Sequence, residues 1–201
     1  MRMMRPRNLA LCGVVATISA CGFLQPQPDD SRFFVLTPTA PPAERPAAKP
    51  LRIGLGPIEF PAYLQRSQMV TRVGANEITL SEENRWGEPF QENFIRVLSQ
   101  DLTELLASNQ IVLYPWYSTQ ELDFAVRLDV TQFDVDTKGT ARLLARWRIV
   151  SPTGDKMLRT QVADLEEHVA DGSPDAATAA LSKLVENLAR EIADTLRGLK
   201  A

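Results

Sequence analysis

The sequence predicts an α+β fold in which an antiparallel β-sheet (a meander) carries two long amphipathic helices on one face. Two segments repeat apolar residues at three- and four-residue steps, the spacing that gives a helix one apolar side. Other segments alternate apolar and polar residues, as half-buried strands do. Packing both helices against one side of a sheet buries all of these apolar faces. We interpret the helix stripes as core, and not as faces that bind a membrane or a partner helix.

The first 20 residues predict a signal peptide that is removed. Three arginines and no acid lie among the first seven residues, and residues 9–20 form an almost uncharged run. An apolar run of about twelve residues rises only about 18 Å as a helix, less than the roughly 30 Å of a bilayer's hydrocarbon core. We therefore expect no membrane span in this segment.

The signal ends in Ile18-Ser19-Ala20-Cys21, which resembles the bacterial lipobox. This resemblance implies cleavage before Cys21 and attachment of diacylglycerol to its sulfur. The alternative is an ordinary signal peptide cut after Ala20, with Cys21 unmodified. Each buried CH₂ group contributes about 0.8 kcal/mol, so two or more acyl chains would hold the protein on a membrane.

Cleavage would leave 181 of the 201 residues, a length that suits one compact domain. Cys12 would be lost and Cys21 lipidated, so no internal disulfide is expected. The mature chain would carry 19 basic and 25 acidic residues, a net charge of −6. This acidic balance, without a basic run, argues against nucleic-acid binding.

We divide the mature chain after Pro50. Residues 21–50 are rich in proline, which fixes φ and removes a backbone donor, and they are predicted to form an extended tether. Within the tether, Arg32 to Leu36 is apolar enough for a short strand. Residues 51–201 are predicted to form a single α+β domain.

The first half of this domain predicts strands around one long helix. A strand from Leu51 to Phe60 comes first, followed by a hairpin. The hairpin strands are Met69 to Arg72 and Glu77 to Leu80. Pro89 then opens a helix that continues to about Ser108, and Ile111 to Tyr114 is a short strand.

The second half predicts the antiparallel meander and a final helix. Apolar residues alternate from Phe124 onward but change parity near Gln132, which predicts a β-bulge there. Strands at 141–149 and from Met157 to about Val169 follow turns that contain glycine. Ser173-Pro174-Asp175 is a typical helix start and opens the last helix.

The sequence contains no pattern typical of catalysis, metal binding or cofactor binding. The one histidine, His168, has no second His or free Cys to complete a zinc site. Two acid pairs are interpreted as exposed charges: Asp134 with Asp136, and Glu82 with Glu83. Gly54-Leu55-Gly56 resembles the start of a dinucleotide fingerprint, but Glu59 replaces its third glycine. We predict that the protein is not an enzyme and uses no metal or cofactor.

One block of the domain carries a more specific pattern. It reads Ile53-x-x-Gly56-Pro57-x-x-Phe60-Pro61-x-Tyr63-Leu64-x-Arg66-x-Gln68-x-Val70-x-Arg72, and Arg85-Trp86-Gly87-Glu88-Pro89 follows it. This pattern resembles the PqiC/YmbA family of ABC-transport auxiliary lipoproteins. The resemblance continues through the later strands and the last helix, over about 150 residues; Gly87 stands where the family often has alanine, and Phe90 where it often has leucine.

The resemblance implies a periplasm-facing lipoprotein that works with an MCE-type transporter, which moves lipids between the two membranes of a Gram-negative envelope. The partner would be the MCE protein, and the chain would be a docking or channel-end component. Gly22 after the lipidated cysteine implies forwarding to the outer membrane. A homo-oligomer stays open at this point.

The turn between the first strand and the hairpin is the predicted partner-binding site. Exposed aromatic and apolar residues on loops are typical of interfaces, so we assign partner contacts to Tyr63, Leu64, Arg66 and Gln68. Trp86 is expected in the core. The alternative for the arginines of this block is that Arg66, Arg72 and Arg85 pair with Glu77, Glu82 or Glu88 to brace the turn.

Two other functions are weighed against docking. A stand-alone lipid chaperone would need an apolar cavity for acyl chains, which a sequence does not reveal. A periplasmic enzyme would have to use carboxylates that the sequence does not single out.

We predict that Cys21→Ser leaves the domain folded but releases it from the membrane, or leaves an uncleaved precursor, because no other segment is expected to hold it there. Labelled fatty acid should be incorporated into the wild-type protein and not into the variant. Equal labelling of both proteins would contradict lipidation at Cys21.

Overall fold

A computed structural model describes residues 29–43, 50–116 and 121–200. Within these ranges the chain forms eight strands and two α-helices, so the α+β prediction is confirmed. The elements are β1 (Arg32–Phe34), β2 (Ile53–Glu59), β3 (Gln68–Arg72), β4 (Ile78–Trp86), α1 (Phe90–Leu106), β5 (Ile111–Leu113), β6 (Phe124–Asp136), β7 (Thr140–Val150), β8 (Met157–His168) and α2 (Pro174–Lys200). Contacts divide the chain into residues 1–30 and 31–201.

The 13-residue strand β6 is the centre of the sheet. One edge of β6 pairs with β7 along almost its whole length. The other edge has two partners: β2 pairs with the first half, and β3 pairs with Val135 and Asp136 near the end. A register shift between Val130 and Gln132 separates the two halves, as the change of parity predicts.

The sheet combines antiparallel and parallel pairings. Strands β6, β7 and β8 form the predicted antiparallel meander, and β3 with β4 forms the predicted hairpin. The remaining pairs are parallel: β1 with β4, β2 with β5, β2 with β6, and β3 with β6. Parallel neighbours require a long crossover, and α1 lies in the connection between the parallel strands β2 and β5.

The core lies between the sheet and the two helices. Helix α2 packs on β6, β7 and β8 and against α1. Alternate β7 residues, from Ala141 to Ile149, are buried on this side. Four phenylalanines form one aromatic cluster, with ring centroids of Phe94 5.1 Å from Phe60 and 5.4 Å from Phe133. Phe90, the fourth, lies 5.3 Å from Phe133.

Residues 35–43, which we name the strap, lie against both helices. Leu36 is fully buried. Its N–H donates to Oδ1 of Asn93 on α1 at 2.6 Å, and its carbonyl accepts from Nδ2 of the same side chain at 3.2 Å. The N–H of Thr37 donates to Oγ of Ser182 on α2 at 3.2 Å. Side chains of both helices therefore replace the ladder that an extended segment lacks.

Two buried carboxylates hold the middle of the strap. Asp101 on α1 accepts from the N–H groups of Thr39 at 3.0 Å and Ala40 at 2.9 Å. Glu186 on α2 accepts from Oγ1 of Thr39 at 3.0 Å, and it forms ion pairs with Lys183 and Arg190. Both carboxylates are completely buried.

These contacts bind part of the predicted tether to the helices. The structure divides the chain between Asp30 and Ser31, whereas the sequence places the division after Pro50. The strap belongs to the predicted tether. Polar side chains buried on the helices bind its backbone, although Leu36 is the one residue of the strap that is itself buried. The short strand expected within Arg32 to Leu36 is present as β1.

The two carboxylates differ in their proton affinity. Burial raises the pKa of Asp101, and the hydrogen bonds from Ala40 and Thr39 offset this only in part. Burial also acts to raise the pKa of Glu186, but hydrogen bonds from Lys183, Arg190 and Thr39 lower it below its ordinary value. Glu186 is therefore held as the anion. For Asp101, burial favours the neutral acid over the carboxylate.

We predict that Asp101→Ala lowers the free energy of unfolding by about 1–3 kcal/mol, because two strap N–H groups lose their acceptor in a buried site. Asp101→Asn keeps one acceptor oxygen and should cost less. Chemical unfolding of both variants at neutral pH is the measurement. A value for Asp101→Ala equal to that of the wild type would show that this carboxylate does not hold the strap.

The raised pKa of Asp101 also predicts how the stability of the wild type and of Asp101→Asn differs with pH. Because the folded-state pKa of Asp101 is raised, the stability that this carboxyl contributes is lost as pH rises from the ordinary aspartate pKa of about 3.9 through the raised value. Asp101→Asn has no such titration. Its stability relative to the wild type should therefore increase between pH 3 and pH 7, as measured by unfolding across that range. A constant difference would contradict the raised pKa.

Candidate partner-binding site

The predicted site follows β2 as a single 3-10 turn, Ala62–Leu64, after which the chain enters β3. The N–H of Leu64 donates to the carbonyl of Pro61 at 3.0 Å, which closes the turn. The N–H of Trp86 donates to the carbonyl of Ser67 at 2.7 Å, which fixes the end of the turn to β4. The segment is therefore a defined turn on the sheet.

Tyr63 is bound to the sheet through a buried carboxylate. Its hydroxyl donates to Oδ2 of Asp134 at 3.1 Å. Asp134, which is 2% exposed, also accepts from Nη2 of Arg72 at 2.7 Å and from Nε2 of Gln132 at 2.8 Å. Burial, together with the charge of Asp134 and this hydrogen bond, raises the pKa of Tyr63. The ring of Tyr63 therefore braces the turn against β3 and β6.

The structure divides the four predicted contact residues into two groups. Leu64 is only 4% exposed and belongs to the core, and Tyr63 is half-buried and bonded to Asp134. The expectation that Leu64 lies in water is wrong, because its side chain packs in the core, whereas Tyr63 is partly exposed and its contact with a partner stays a prediction. Arg66 is exposed and Gln68 half-buried, so these two residues are available at the surface.

A groove of about 690 Å³ lies beside the exposed part of the turn. The turn forms one wall, and the start of α1 forms the other. The lining residues are Gln65, Arg66, Ser67, Trp86, Glu88, Pro89, Phe90, Gln91, Glu92 and Ile95. The lining combines apolar with polar and charged side chains, a composition typical of interfaces.

The arginines of this block pair differently from the prediction. Arg72 binds Asp134 on β6, and Glu88 pairs with Arg96 one turn into α1. Arg66 and Arg85 form no ion pair with any residue in the described ranges. Trp86 is buried, as expected, and its ring lies 5.5 Å from that of Phe90. Arg66 is therefore a free cation at the rim of the groove.

A second cavity of about 320 Å³ lies on the other side of the turn. Leu64, Met69 and Phe133 line it, together with Asp134 and the start of α2 at Pro174. This volume is at the lower end of the range of small-molecule sites, which begins at about 300 Å³.

The other residues that the sequence singles out lie on the surface or shape the backbone. His168 is exposed at the end of β8. Oδ1 of Asp136 accepts from the N–H groups of Lys138 and Thr140 and shapes the turn before β7. Gly56 has φ of +118°, and a Cβ there would lie 2.7 Å from Cβ of Tyr114, so close packing requires this glycine. Glu82 and Glu83 are exposed on β4, as predicted, but the same interpretation is wrong for Asp134, which is buried because it accepts hydrogen bonds from Tyr63, Arg72 and Gln132.

Some features lie outside the described ranges or are not found within them. Cys21 and the signal peptide fall in the first group, so lipidation stays a prediction. No group of metal-ligating side chains occurs among the described residues. Neither helix in this part of the chain combines the length and hydrophobicity needed to cross a bilayer.

Sequence reasoning missed the helical wall of the groove. Ile95 is partly buried on α1, next to Phe94 but outside the apolar stripe that Phe94 and Leu98 define. An apolar residue outside the stripe is the signal that would have found this wall. Asn93 and Asp101 are polar residues on the buried side of α1. Polar residues at such positions are the signal that would have predicted the hydrogen bonds to the strap.

Comparisons with known proteins agree with this architecture. A family model described as the ABC-type transport auxiliary lipoprotein component matches residues 34–193. A crystal structure of an uncharacterized protein superimposes with a TM-score of 0.67 at 14% identity, covering 83% of this chain and 98% of that one. A protein from Xanthomonas campestris gives a TM-score of 0.65 at 12% identity, covering 80% and 92%. No curated protein matches the sequence.

The likeness to these two structures shows the fold alone, because their identities are low. The family model covers most of the chain and defines the class, a component of an ABC-type transport system. The chain belongs to the family of ABC-type transport auxiliary lipoproteins.

We predict that Leu64→Ala lowers the free energy of unfolding by about 2–5 kcal/mol, because it leaves a cavity in the core. Tyr63→Phe removes a hydrogen bond to a buried charge and should cost about 1.5–3 kcal/mol. Arg66→Ala should leave stability unchanged. Thermal unfolding of the three variants checks this order, and a stable Leu64→Ala variant would contradict the buried position of the turn.

Proposed function

We propose that this chain is an accessory lipoprotein of an MCE-type ABC lipid transporter and that it acts by docking to the MCE protein. The family supports an auxiliary role in ABC-type transport. The resemblance of the block from Ile53 to Pro89 to the PqiC/YmbA pattern supports the MCE-type partner. The role is contact without turnover of a substrate.

The groove between the turn and α1 is the proposed docking surface, and its geometry carries this assignment. Trp86, Phe90 and Ile95 supply an apolar lining, and Arg66 and Glu92 supply charge at the rim. Both walls are held by the core, so little conformational entropy is lost when a partner binds. An apolar or aromatic side chain of the MCE protein would fit such a groove, since anchors of this kind contribute most of the interface energy.

The proposed lipid on Cys21 determines how far the docking surface can lie from the membrane. Ten residue steps separate Cys21 from Ser31, where the packed unit begins. A fully extended chain spans at most about 3.6 Å per residue, so this connection reaches roughly 36 Å. We propose the periplasmic face of the outer membrane as the location, because Gly22 follows the cysteine.

The test is a double variant in the groove, Arg66→Ala with Ile95→Ser, and a matched control on another surface, Val73→Ser with Lys138→Ala. Each pair removes one cation and one partly exposed apolar side chain. Tagged full-length proteins are used to capture the MCE protein from detergent-solubilised envelopes. We expect capture to fall at least about tenfold for the groove pair, which corresponds to about 1.4 kcal/mol, and to stay unchanged for the control.

Thermal unfolding of both pairs is measured in parallel. The groove pair should unfold close to the wild type, because neither side chain is fully buried. Undiminished capture by a folded groove pair would contradict docking through this groove. Failure of the wild type to capture any MCE protein would contradict the proposed function itself.

A further inference from the structure

The sheet face that points away from the helices carries a group of arginines on neighbouring strands. Arg127 on β6 lies directly opposite Arg148 on β7. Asp129 on β6 lies opposite Arg146 on β7, and Arg146 in turn lies opposite Val162 on β8. We name Arg127, Arg146 and Arg148 the arginine cluster.

The charges of this cluster are incompletely compensated. Like charges directly opposite each other on adjacent strands are destabilising, and Arg127 and Arg148 have this arrangement. Arg148 forms an ion pair with Asp129. Arg127 and Arg146 form none within the described residues, so two positive charges are left over. The whole chain, by contrast, has a net charge of −3.

Two guanidinium nitrogens in the cluster also lack a hydrogen-bond partner. Nε of Arg127 and Nε of Arg148 are both buried without an acceptor. A buried donor without an acceptor costs free energy, and the cost is larger for a charged group. Gly154 helps to place Arg127, because a Cβ at this glycine would lie 2.5 Å from Nη2.

A neighbouring arginine shows how the same face compensates a charge. Arg142 lies on β7, on the same face as the cluster, and donates from Nε and Nη2 to the two carboxylate oxygens of Asp164, both at 2.8 Å. Glu166 lies 3.6 Å from it as well. The cluster has one acid, Asp129, for three arginines, whereas Arg142 has two acids close by. Arg142 therefore provides a control arginine on the same face whose charge is compensated.

We propose that the arginine cluster binds the phosphate of an anionic phospholipid headgroup. Guanidinium groups match phosphate oxygens with paired, charge-assisted hydrogen bonds, and the cluster offers free donors on two strands. Val162 is 60% exposed and lies opposite Arg146 in the middle of β8. Met157, the first residue of β8, is 54% exposed. Exposed apolar groups next to uncompensated arginines favour an amphipathic ligand over a free anion or an acidic peptide.

This site is separate from the groove proposed for docking. The groove is formed by the turn after β2 and by α1, whereas the cluster lies on β6 and β7. Loss of headgroup binding would therefore leave capture of the MCE protein unchanged, and the two proposals fail independently.

The test titrates full-length protein in non-ionic detergent with dihexanoyl phosphatidylglycerol below its micellar concentration, and monitors binding by thermophoresis. Parallel titrations use inorganic phosphate and hexaglutamate. The variants are Arg127→Gln with Arg146→Gln, the control Arg142→Gln, and Asp129→Asn, which releases Arg148 from its ion pair. Thermal unfolding shows which variants are folded.

We expect the lipid to bind the wild type, the double variant to bind at least about tenfold more weakly, and Arg142→Gln to bind like the wild type. Asp129→Asn should bind more tightly, an effect that damage to the fold would not produce. Equal binding of lipid by all variants would overturn the site. Equal affinity for inorganic phosphate would overturn the headgroup assignment, and tighter binding of hexaglutamate would point to an acidic protein segment instead.

Discussion

The fold depends on one constraint, which is that the long strand β6 has to be hydrogen-bonded along both edges. Strand β7 satisfies one edge, but the bulge after Val130 changes the direction of the other edge, so a single straight strand does not cover it. Strands β2 and β3 share that edge. In the turn that connects them, Leu64 is buried in the core, and Asp134, just beyond the bulge, accepts a hydrogen bond from Tyr63. The bulged strand therefore helps to hold the turn that forms one wall of the groove.

The helices have two tasks, and their sequences show both. Their leucines and phenylalanines cover the sheet, which is the usual role of an amphipathic helix. Asn93, Asp101 and Glu186 interrupt the apolar surface to bind the strap. Buried polar groups are costly unless they are hydrogen-bonded, so these side chains and the strap depend on each other. The family model begins at residue 34, so the region that it matches includes the strap.

Local periodicity was sufficient to predict both helices and the meander, because each leaves a repeat of apolar residues in the sequence. It also predicted the bulge near Gln132, because the alternation changes parity there. Parallel pairings, such as that between β2 and β6, join residues about 70 positions apart and leave no local pattern. Proline-rich composition predicts an extended tether but does not reveal the hydrogen bonds that hold the strap, since their partners lie on distant helices. The turn was misread for the same reason: Leu64 has polar neighbours in sequence, and its apolar neighbours come from β3 and β6.

The strap also determines how the molecule bears mechanical load. A force applied at the N-terminus enters through β1, whose hydrogen bonds to β4 lie across the direction of the strand and would have to break together in shear. Beyond β1, tension passes to Asn93 and Asp101 on α1 and to Glu186 on α2. Tension between a membrane and this chain would therefore be distributed over both helices.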